Sequence, residues 1–275
     1  MLVTRFAPSP TGYLHRGHAF SALSAERAAR EAGGRFLLRI EDIDRTRCRP
    51  AYEAAILEDL AWLGLAWQTP VRRQSDHMAD YQTALDGLAA RGLLYRCFRT
   101  RREIAEAIEG APHGAMEAWR GEPLHPVEEQ RRMDAGEPYA WRLSLVAAEH
   151  ALGGFGGLSF VDQDRGVVPA RPELGGDVVL ARKDVGVAYH LAVVHDDALQ
   201  GVTHVIRGED LLEATHVQRM LQALLGLPVP AYRHHRLLAG PDGRRFAKRD
   251  GAQTLRSLRG SGMTATALRA EMGFD

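Results

Sequence analysis

Residues 2–44 of this 275-residue chain read LVTRFAPSPTGYLHRGHAFSALSAERAAREAGGRFLLRIEDID. The apolar stretch at 2–7 predicts a short strand, and the stretch at 17–31, rich in Ala, Leu, Glu and Arg, predicts a helix that ends at the following Gly-Gly pair. Residues 35–40 have the pattern of a buried strand. This strand–helix–strand order predicts an α/β fold with a parallel sheet, whose functional groups gather at the carboxyl ends of the strands.

The composition is that of an ordinary globular protein, with 45% hydrophobic and 25% charged residues. No segment approaches the roughly 18 uninterrupted apolar residues of a membrane span, and the N-terminus lacks the pattern of a secretory signal. We therefore expect a cytoplasmic protein without a membrane partner, and nothing in the sequence requires more than a monomer. A formal net charge of zero argues against a protein that coats nucleic acid by bulk electrostatics, so any nucleic-acid contact must be local.

The pattern along the chain divides it into four segments. These are the first half of a Rossmann-type domain at 1–94, an inserted α+β subdomain at 95–184, the second half at 185–252 and a short helical segment at 253–275. In the second half, residues 187–195 and 202–206 have the apolar patterns of returning core strands, and residues 215–225 have that of a helix. The predicted fold is therefore a parallel sheet with an insert and C-terminal helices.

A turn with two histidines follows the first predicted strand. His15 and His18 flank Arg16 and Gly17 at the start of the predicted helix. Two imidazoles can present hydrogen-bond donors to a phosphate there, while the helix N-terminus adds its partial positive charge. Gly17 would let a purine or a ribose approach the backbone closely. The position of the motif between a strand and a helix favours a nucleotide site over an isolated surface motif.

Lysine is rare in this chain, because only Lys183 and Lys248 stand among 35 cationic residues. Lys248 lies in the basic segment 244–252, which follows a Gly-Pro-Asp-Gly loop at 240–243. A compact ammonium on a loop can follow negative charge as it grows on phosphoryl oxygens. The pattern therefore indicates a second element of a nucleotide site.

Residues 5–18 closely resemble the opening of the class I glutamyl-tRNA synthetases, with their HIGH-type motif, and residues 240–252 resemble the KMSKS-type loop of the same class. Lys248 matches the second lysine of that loop and Arg245 matches the first, whereas Ala247 stands where the family often has Ser. The resemblance covers nearly the whole chain. It implies the class I synthetase fold and the activation of glutamate with ATP and Mg²⁺.

Glutamate carries two carboxylates and one ammonium, so a selective site needs two cationic side chains and one anion. Arg5, Glu41 and Arg207 can meet this need, and each lies near a predicted strand end. The resemblance implies that glutamate binds Arg5, Ala7, Ser9, Glu41, Tyr189 and Arg207. It also implies that ATP binds His15, Gly17, His18, Arg245 and Lys248.

Related enzymes often hold zinc in the insert, in a site that begins with a Cys-x-Cys pair. Here Cys97-Phe98-Arg99 lacks the second thiolate, and no cysteine follows it in the chain. One sulfur is too few for a tetrahedral zinc site. We therefore expect no zinc and no other protein-bound metal.

The chain ends 23 residues after Ala252, and we expect no anticodon-binding domain to fit there. This layout resembles the glutamyl-queuosine tRNA(Asp) synthetases, which attach glutamate to the cyclopentene-diol of queuosine in an anticodon loop. The resemblance therefore implies queuosine-containing tRNA(Asp) as the partner. Two alternatives stay open: a shortened glutamyl-tRNA synthetase that charges a tRNA 3′ end, and a non-catalytic paralogue that binds tRNA or nucleotide.

Overall fold

The computed structural model describes residues 1–109, 118–182, 186–238 and 253–274. The first elements in chain order are β1 (Val3–Phe6), α1 (Arg16–Glu31), β2 (Arg35–Ile40), α2 (Pro50–Trp62), β3 (Gln68–Arg73), α3 (Met78–Ala90) and β4 (Leu94–Cys97). Helix α2 begins at Pro50, since proline has a helical φ and its missing N–H costs no hydrogen bond in the first turn. Helix α1 ends just before Gly33, which adopts a φ of 58°.

The remaining elements continue through the predicted insert to the C-terminal helices. They are α4 (Arg101–Glu109), α5 (Pro126–Asp134), β5 (Ala140–Leu143), α6 (Leu145–Leu152), β6 (Ser159–Asp162), β7 (Gly166–Pro169), β8 (Val179–Arg182), β9 (Gly186–Val187), α7 (Tyr189–Leu199), β10 (His204–Gly208), α8 (Leu212–Leu225), β11 (Ala231–His235), α9 (Leu255–Gly260) and α10 (Ala265–Glu271).

Parallel strands form the centre of the molecule. Strands β1, β2 and β3 are parallel neighbours in that order, and β10, β11 and β6 are parallel neighbours in a second sheet that ends in the antiparallel β7. The two sheets meet where the Thr203 amide donates to the Val3 carbonyl at 3.0 Å. The predicted α/β fold with a parallel sheet is therefore confirmed. A third sheet, with the order β4–β5–β8–β9, is antiparallel.

Two apolar clusters stabilise this arrangement. One lies among α3, α7 and α8 and contains Tyr81, Leu191 and Met220, all of them buried. The other contains Leu23 of α1 together with Leu255 of α9, and α2 and α10 also contribute to it. The C-terminal helices therefore pack against the first strand–helix–strand unit.

The prediction of a strand at residues 187–195 is wrong, because the segment forms helix α7 from Tyr189 to Leu199. The buried residues of α7 are Leu191, Ala192, Val193, Val194, Asp196 and Asp197. An uninterrupted apolar run shows no period that separates a buried helix from a buried strand, and two neighbouring valines favoured the strand. The error matters for the site, since a helix places both aspartates next to the sheet.

The predicted division at 1–94, 95–184, 185–252 and 253–275 stays a prediction. Within it, β6 belongs to the predicted insert yet pairs with β11 of the second half, where Asp162 is the register partner of Tyr232. Among the described residues, no helix combines the length and the apolar composition that a membrane span needs.

Candidate active site

A cavity of about 600 Å³ opens where β1, β2 and β10 end and where α1 begins. Nine of the eleven predicted site residues line it: Arg5, Ala7, Ser9, His15, Gly17, His18, Glu41, Tyr189 and Arg207. The other two, Arg245 and Lys248, lie outside the described residues. The structure thus brings together side chains that are separated by up to about two hundred residues of sequence, as expected for the carboxyl ends of parallel strands.

Arg5 is held from behind by a carboxylate. Its Nε donates to Asp197 Oδ1 at 3.1 Å, and only 5% of the residue is exposed. Arg5 makes no other side-chain hydrogen bond within the described part of the chain. The guanidinium is therefore oriented through its Nε edge, while the residue lines the cavity.

Arg39 is a fully buried cation behind this wall of the cavity. Its Nη1 donates to Asp197 Oδ1 at 2.8 Å, and its Nη2 donates to Glu41 Oε1 at 3.1 Å. Burial alone would lower the pKa of Arg39, but the charges of Asp197, Glu41 and Asp196 outweigh it and raise the pKa above the ordinary arginine value. Arg39 therefore stays charged and fixes two carboxylates at once.

The two carboxylates respond differently to this environment. Burial raises the pKa of Glu41, although Arg39 and Arg5 both oppose the rise. Burial acts in the same direction on Asp197, but contact with Arg5 and Arg39 lowers the pKa of Asp197 below its usual value. Asp197 is thus an anion that compensates the charges of Arg5 and Arg39. A further cation in the cavity would stabilise the ionised form of Glu41.

A third acid extends the network away from the cavity. Asp196 is fully buried and accepts hydrogen bonds from Arg72 Nε at 2.7 Å, from Gln74 Nε2 at 2.9 Å and from Tyr81 Oη at 2.8 Å. Its Oδ2 also lies 3.7 Å from Arg39 Nε. The buried charges are therefore paired and hydrogen-bonded, as burial of ions requires.

Arg207 is held by uncharged groups instead. Its acceptors and distances are His234 Nε2 at 3.3 Å, Tyr189 Oη at 3.3 Å, the Leu211 carbonyl at 3.2 Å, Thr215 Oγ1 at 2.7 Å and Gln218 Oε1 at 2.8 Å. No carboxylate contacts Arg207 among the residues that the structure describes. Its positive charge is therefore not compensated locally, which suits a carboxylate ligand.

His234 in turn is held by Asp162, at 2.6 Å between Nδ1 and Oδ2, and both side chains are fully buried. Burial lowers the pKa of His234 to about 4; the contact with Asp162 opposes this shift, and the positive charge of Arg207 acts in the same direction as burial. The ring is therefore neutral near pH 7, with its proton on Nδ1 and a lone pair on Nε2.

The turn with two histidines forms the cap of helix α1. His15 Nδ1 accepts from the Gly17 amide at 3.1 Å, and His18 Nδ1 accepts from the His15 amide at 3.2 Å. A nitrogen that accepts a hydrogen bond carries no proton, so each ring has its proton on Nε2. The rings lie 3.8 Å apart between centroids. This reciprocal capping presents two N–H donors at a helix N-terminus.

Gly17 leaves room for the His15 ring in this cap. A Cβ at position 17 would lie 3.0 Å from Cε1 of His15 and 3.2 Å from its Nδ1. The space over Gly17 is thus taken by the His15 ring. The glycine serves the cap itself, in addition to any approach of a ligand to the backbone.

A second cavity of about 870 Å³ adjoins the first, and Ser9, Glu41 and Tyr189 line both. Besides Tyr189, its wall carries four arginines and two aromatic rings, namely Arg47, Arg99, Arg142, Arg182, Phe98 and Tyr139. The second cavity is therefore cationic and partly aromatic, a composition that suits nucleotides.

Comparison with known proteins shows which family has this sequence. A family model described as the catalytic domain of tRNA synthetases class I (E and Q) matches residues 1–273. The chain belongs to the class I tRNA synthetases.

The relatives of this synthetase include curated proteins that match over nearly the whole chain. A glutamyl-Q tRNA(Asp) synthetase of Rhodobacter capsulatus is 47% identical over 99% of this chain and 100% of its own length. One of Symbiobacterium thermophilum is 42% identical over 100% of this chain and 86% of its own length. These matches also confirm the predicted resemblance.

Among solved structures, a glutamate tRNA ligase from Elizabethkingia meningosepticum in complex with its amino acid superimposes with a TM-score of 0.76 at 29% identity. The match covers 91% of this chain and 52% of that ligase. The chain therefore spans about half the length of the solved ligase, and the prediction of a class I synthetase fold is confirmed.

Several residues around this candidate site escaped the sequence analysis. Arg39 could have been found, because a cation inside the buried strand at 35–40 needs an acid, and Glu41 follows two residues later, just past the end of the strand. Asp197 was hidden by the wrong assignment of α7 to a strand. No pattern in the sequence indicated that Asp162 and His234 meet, since they are 72 positions apart.

Proposed function

We propose that this chain activates L-glutamate with ATP and transfers the glutamyl group to queuosine in the anticodon loop of tRNA(Asp). One observation carries the proposal: Arg5, Glu41 and Arg207 line the same cavity as the His15 and His18 turn. The names of the curated relatives, glutamyl-Q tRNA(Asp) synthetases, support it.

In this proposal, the charges of the cavity match those of glutamate. Arg5 and Arg207 supply two cations for its two carboxylates, and Glu41 supplies an anion for its ammonium. Glutamine, with an amide in place of one carboxylate, would leave an arginine without its anion. Ala7, Ser9 and Tyr189 line the cavity as well and would complete the amino-acid site.

ATP would lie at the cap of helix α1. The Nε2–H groups of His15 and His18 and the helix N-terminus are suited to phosphate oxygens. Mg²⁺ would enter on the nucleotide phosphates. The part of the chain that the structure describes holds no group of three or more His, Cys, Asp or Glu that could bind a metal ion by itself. That finding leaves the prediction of no zinc as a prediction.

The chemistry needs no covalent enzyme intermediate. An oxygen of the glutamate α-carboxylate attacks the α-phosphorus of ATP, the bond from that phosphorus to the bridging oxygen breaks, and pyrophosphate leaves. His15, His18 and, from the family resemblance, Arg245 and Lys248 would stabilise the growing charge. A diol hydroxyl then attacks the carbonyl carbon of the mixed anhydride, loses its proton and displaces AMP.

The second cavity would receive the acceptor nucleotide. It meets the first at Ser9, Glu41 and Tyr189, so a hydroxyl placed there would be next to the activated glutamate. Its arginines suit phosphates, and Phe98 and Tyr139 suit a base. A tRNA 3′ end has the same chemistry, and the similarity to a solved glutamate tRNA ligase favours that end as the alternative acceptor.

Two assays test this function in order. The first is glutamate-dependent exchange of pyrophosphate into ATP without tRNA, and its absence would overturn the proposed activation. The second compares transfer of glutamate to queuosine-containing and queuosine-free tRNA(Asp) after removal of the 3′-terminal nucleotide. The queuosine acceptor predicts transfer to the first tRNA alone, and periodate oxidation of the queuosine diol before the assay should abolish that transfer. Transfer that disappears with the 3′-terminal nucleotide would favour the alternative.

A further inference from the structure

Asp162 has two separate tasks, one for each carboxylate oxygen. Its Oδ1 accepts the backbone amides of Asp164 at 3.0 Å and Arg165 at 3.1 Å, which shapes the turn between β6 and β7. Its Oδ2 accepts from His234 Nδ1 at 2.6 Å. One carboxylate oxygen therefore holds the turn while the other faces His234.

The proton on His234 follows from this contact. Oδ2 of Asp162 accepts only, so Nδ1 of His234 must donate, and Nε2 of the neutral ring is left with a lone pair. That lone pair lies 3.3 Å from Arg207 Nε and 2.9 Å from Thr215 Oγ1. An arginine can only donate. His234 therefore serves as an acceptor for Arg207 because Asp162 selects its tautomer.

This acceptor fixes the Nε edge of the Arg207 guanidinium, beside the acceptors that hold Nη2. Nη2 is already used by the Leu211 carbonyl, Thr215 and Gln218, and Nε is directed at His234. Two of the three nitrogens are thus fixed by buried groups. Nη1 remains on the side of Tyr189, which lines both cavities.

We propose that Asp162 and His234 are positioning residues for glutamate recognition: Asp162 holds His234 in the tautomer that orients Arg207 toward the substrate carboxylate. The proposal rests on the proposed function in one respect, namely that Arg207 binds glutamate. It also gives the β6–β7 turn a role in amino-acid binding, although no residue of that turn lines the cavity.

The substitution Asp162→Asn tests the proposal with almost no change of shape. The turn amides need an oxygen at the Oδ1 position, so the new amide nitrogen must face His234 and donate to Nδ1. The ring then carries its proton on Nε2. Two N–H groups, that of His234 Nε2 and that of Arg207 Nε, then face each other, and the hydrogen bond between them is lost. We expect the KM for glutamate in pyrophosphate exchange to rise about tenfold or more, while the KM for ATP stays within about twofold.

A nitrogen NMR spectrum of the histidine rings reports the tautomer independently of any activity assay. The His234 signals, assigned by their loss in His234→Gln, should show a protonated Nδ1 in the parent and a protonated Nε2 in Asp162→Asn. The control is Asp164→Asn in the same turn. The Asp164 side chain pairs with the exposed Arg233 at 3.3 Å. The control should leave both the tautomer and the KM for glutamate unchanged.

A second substitution, His234→Gln, shows whether Asp162→Asn acts through the tautomer of His234 or through a general disturbance of the fold. The side-chain oxygen of His234→Gln reaches about the position of Nε2, accepts from Arg207 and has no tautomer to lose. The double variant with Asp162→Asn should therefore have a KM for glutamate well below that of Asp162→Asn alone. If Asp162→Asn does not fold, His234→Gln and His234→Leu provide the comparison, with a KM for glutamate about tenfold higher for Leu.

The outcomes separate this inference from the proposed function. A parent enzyme without glutamate-dependent exchange overturns the function, whereas an active parent and a switched tautomer with an unchanged KM for glutamate overturn the positioning role alone. An unchanged tautomer in Asp162→Asn, or a double variant as impaired as Asp162→Asn, also overturns it. A raised KM for glutamate with a switched tautomer and rescue by Gln supports it.

Discussion

Arg5 and Arg207 line one cavity, each only 5% exposed, but they are held in opposite ways. Arg5 belongs to a cluster in which arginines and carboxylates alternate, and its charge is shared with Asp197. Arg207 contacts only uncharged acceptors within the described residues. One wall of the cavity is therefore balanced in charge, and the other presents a net cation.

The two walls therefore have different tasks: the balanced wall contributes mainly to the stability of the fold, and Arg207 contributes mainly to ligand binding. Removing a member of the balanced wall leaves buried partners with uncompensated charge, so its largest cost falls on folding. Removing Arg207 leaves neutral acceptors that lose hydrogen bonds, and its largest cost falls on binding an anion. The predictions below test this division of tasks.

The largest effect on stability is expected for Arg39→Met. It removes the cation that Glu41 contacts directly and weakens the compensation of Asp196 and Asp197 in the interior. We expect the free energy of unfolding to fall by about 3–5 kcal/mol, measured by urea denaturation. The control is Arg30→Met, where an exposed arginine pairs with Glu26 and the loss should stay below about 1 kcal/mol. Equal losses in both variants would contradict the account of the balanced wall.

The two cavity arginines should differ in their effect on activity. Arg207→Leu should lower kcat/KM for glutamate about a hundredfold or more. Arg5→Leu should lower it by less, because Asp197 already compensates part of the charge of Arg5 and still has Arg39 as a partner after the substitution. Pyrophosphate exchange at varied glutamate measures both. Arg233→Leu, at an exposed position in β11, is the control and should keep the parent value. A larger loss for Arg5→Leu than for Arg207→Leu would reverse the comparison.

Glu41 should make glutamate binding depend on pH. Since burial raises the pKa of Glu41, the carboxyl takes up a proton at a higher pH than usual and then no longer attracts an ammonium. The KM for glutamate should therefore rise as pH falls through this raised pKa.

The variant Glu41→Gln isolates this effect. Its KM for glutamate should be about tenfold higher at neutral pH and should lack the rise at low pH. The measurement is a pH series of pyrophosphate exchange for both proteins. The same pH dependence in both would assign the titration to another group.

The smallest effect is expected for Tyr189→Phe. The hydroxyl accepts from Arg207 Nη1 at 3.3 Å, a long contact next to several shorter ones. We expect the KM for glutamate to rise about two- to fivefold, with kcat nearly unchanged. A loss as large as that of Arg207→Leu would mean that Tyr189, and not the buried acceptors, orients the guanidinium.

The sequence predicted the parts of this site that lie next to their own structural signals. Arg5, Glu41 and the His15–His18 turn adjoin the strands and the helix of one local unit, so periodicity and turn residues place them at one sheet edge. Arg207 was predicted from its place near a strand end as well as from the family resemblance, and Tyr189 from the resemblance alone; the structure brings both to the same cavity.

The supporting residues could not be predicted in this way. Arg39 pairs with Asp197 across 158 positions, and the helix that carries Asp197 was predicted as a strand. The contact of Asp162 with His234 depends on β6 joining the β10–β11 sheet, although β6 lies in the predicted insert. Pairing between distant strands leaves no periodic signal within either strand.

The most direct measurement is the rate of ATP–pyrophosphate exchange with L-glutamate compared with L-glutamine, without tRNA. A cavity with an uncompensated Arg207 and the anion Glu41 should accept glutamate and discriminate against the neutral amide by about a hundredfold or more in kcat/KM. Equal rates for both amino acids, or no exchange with glutamate, would contradict the account.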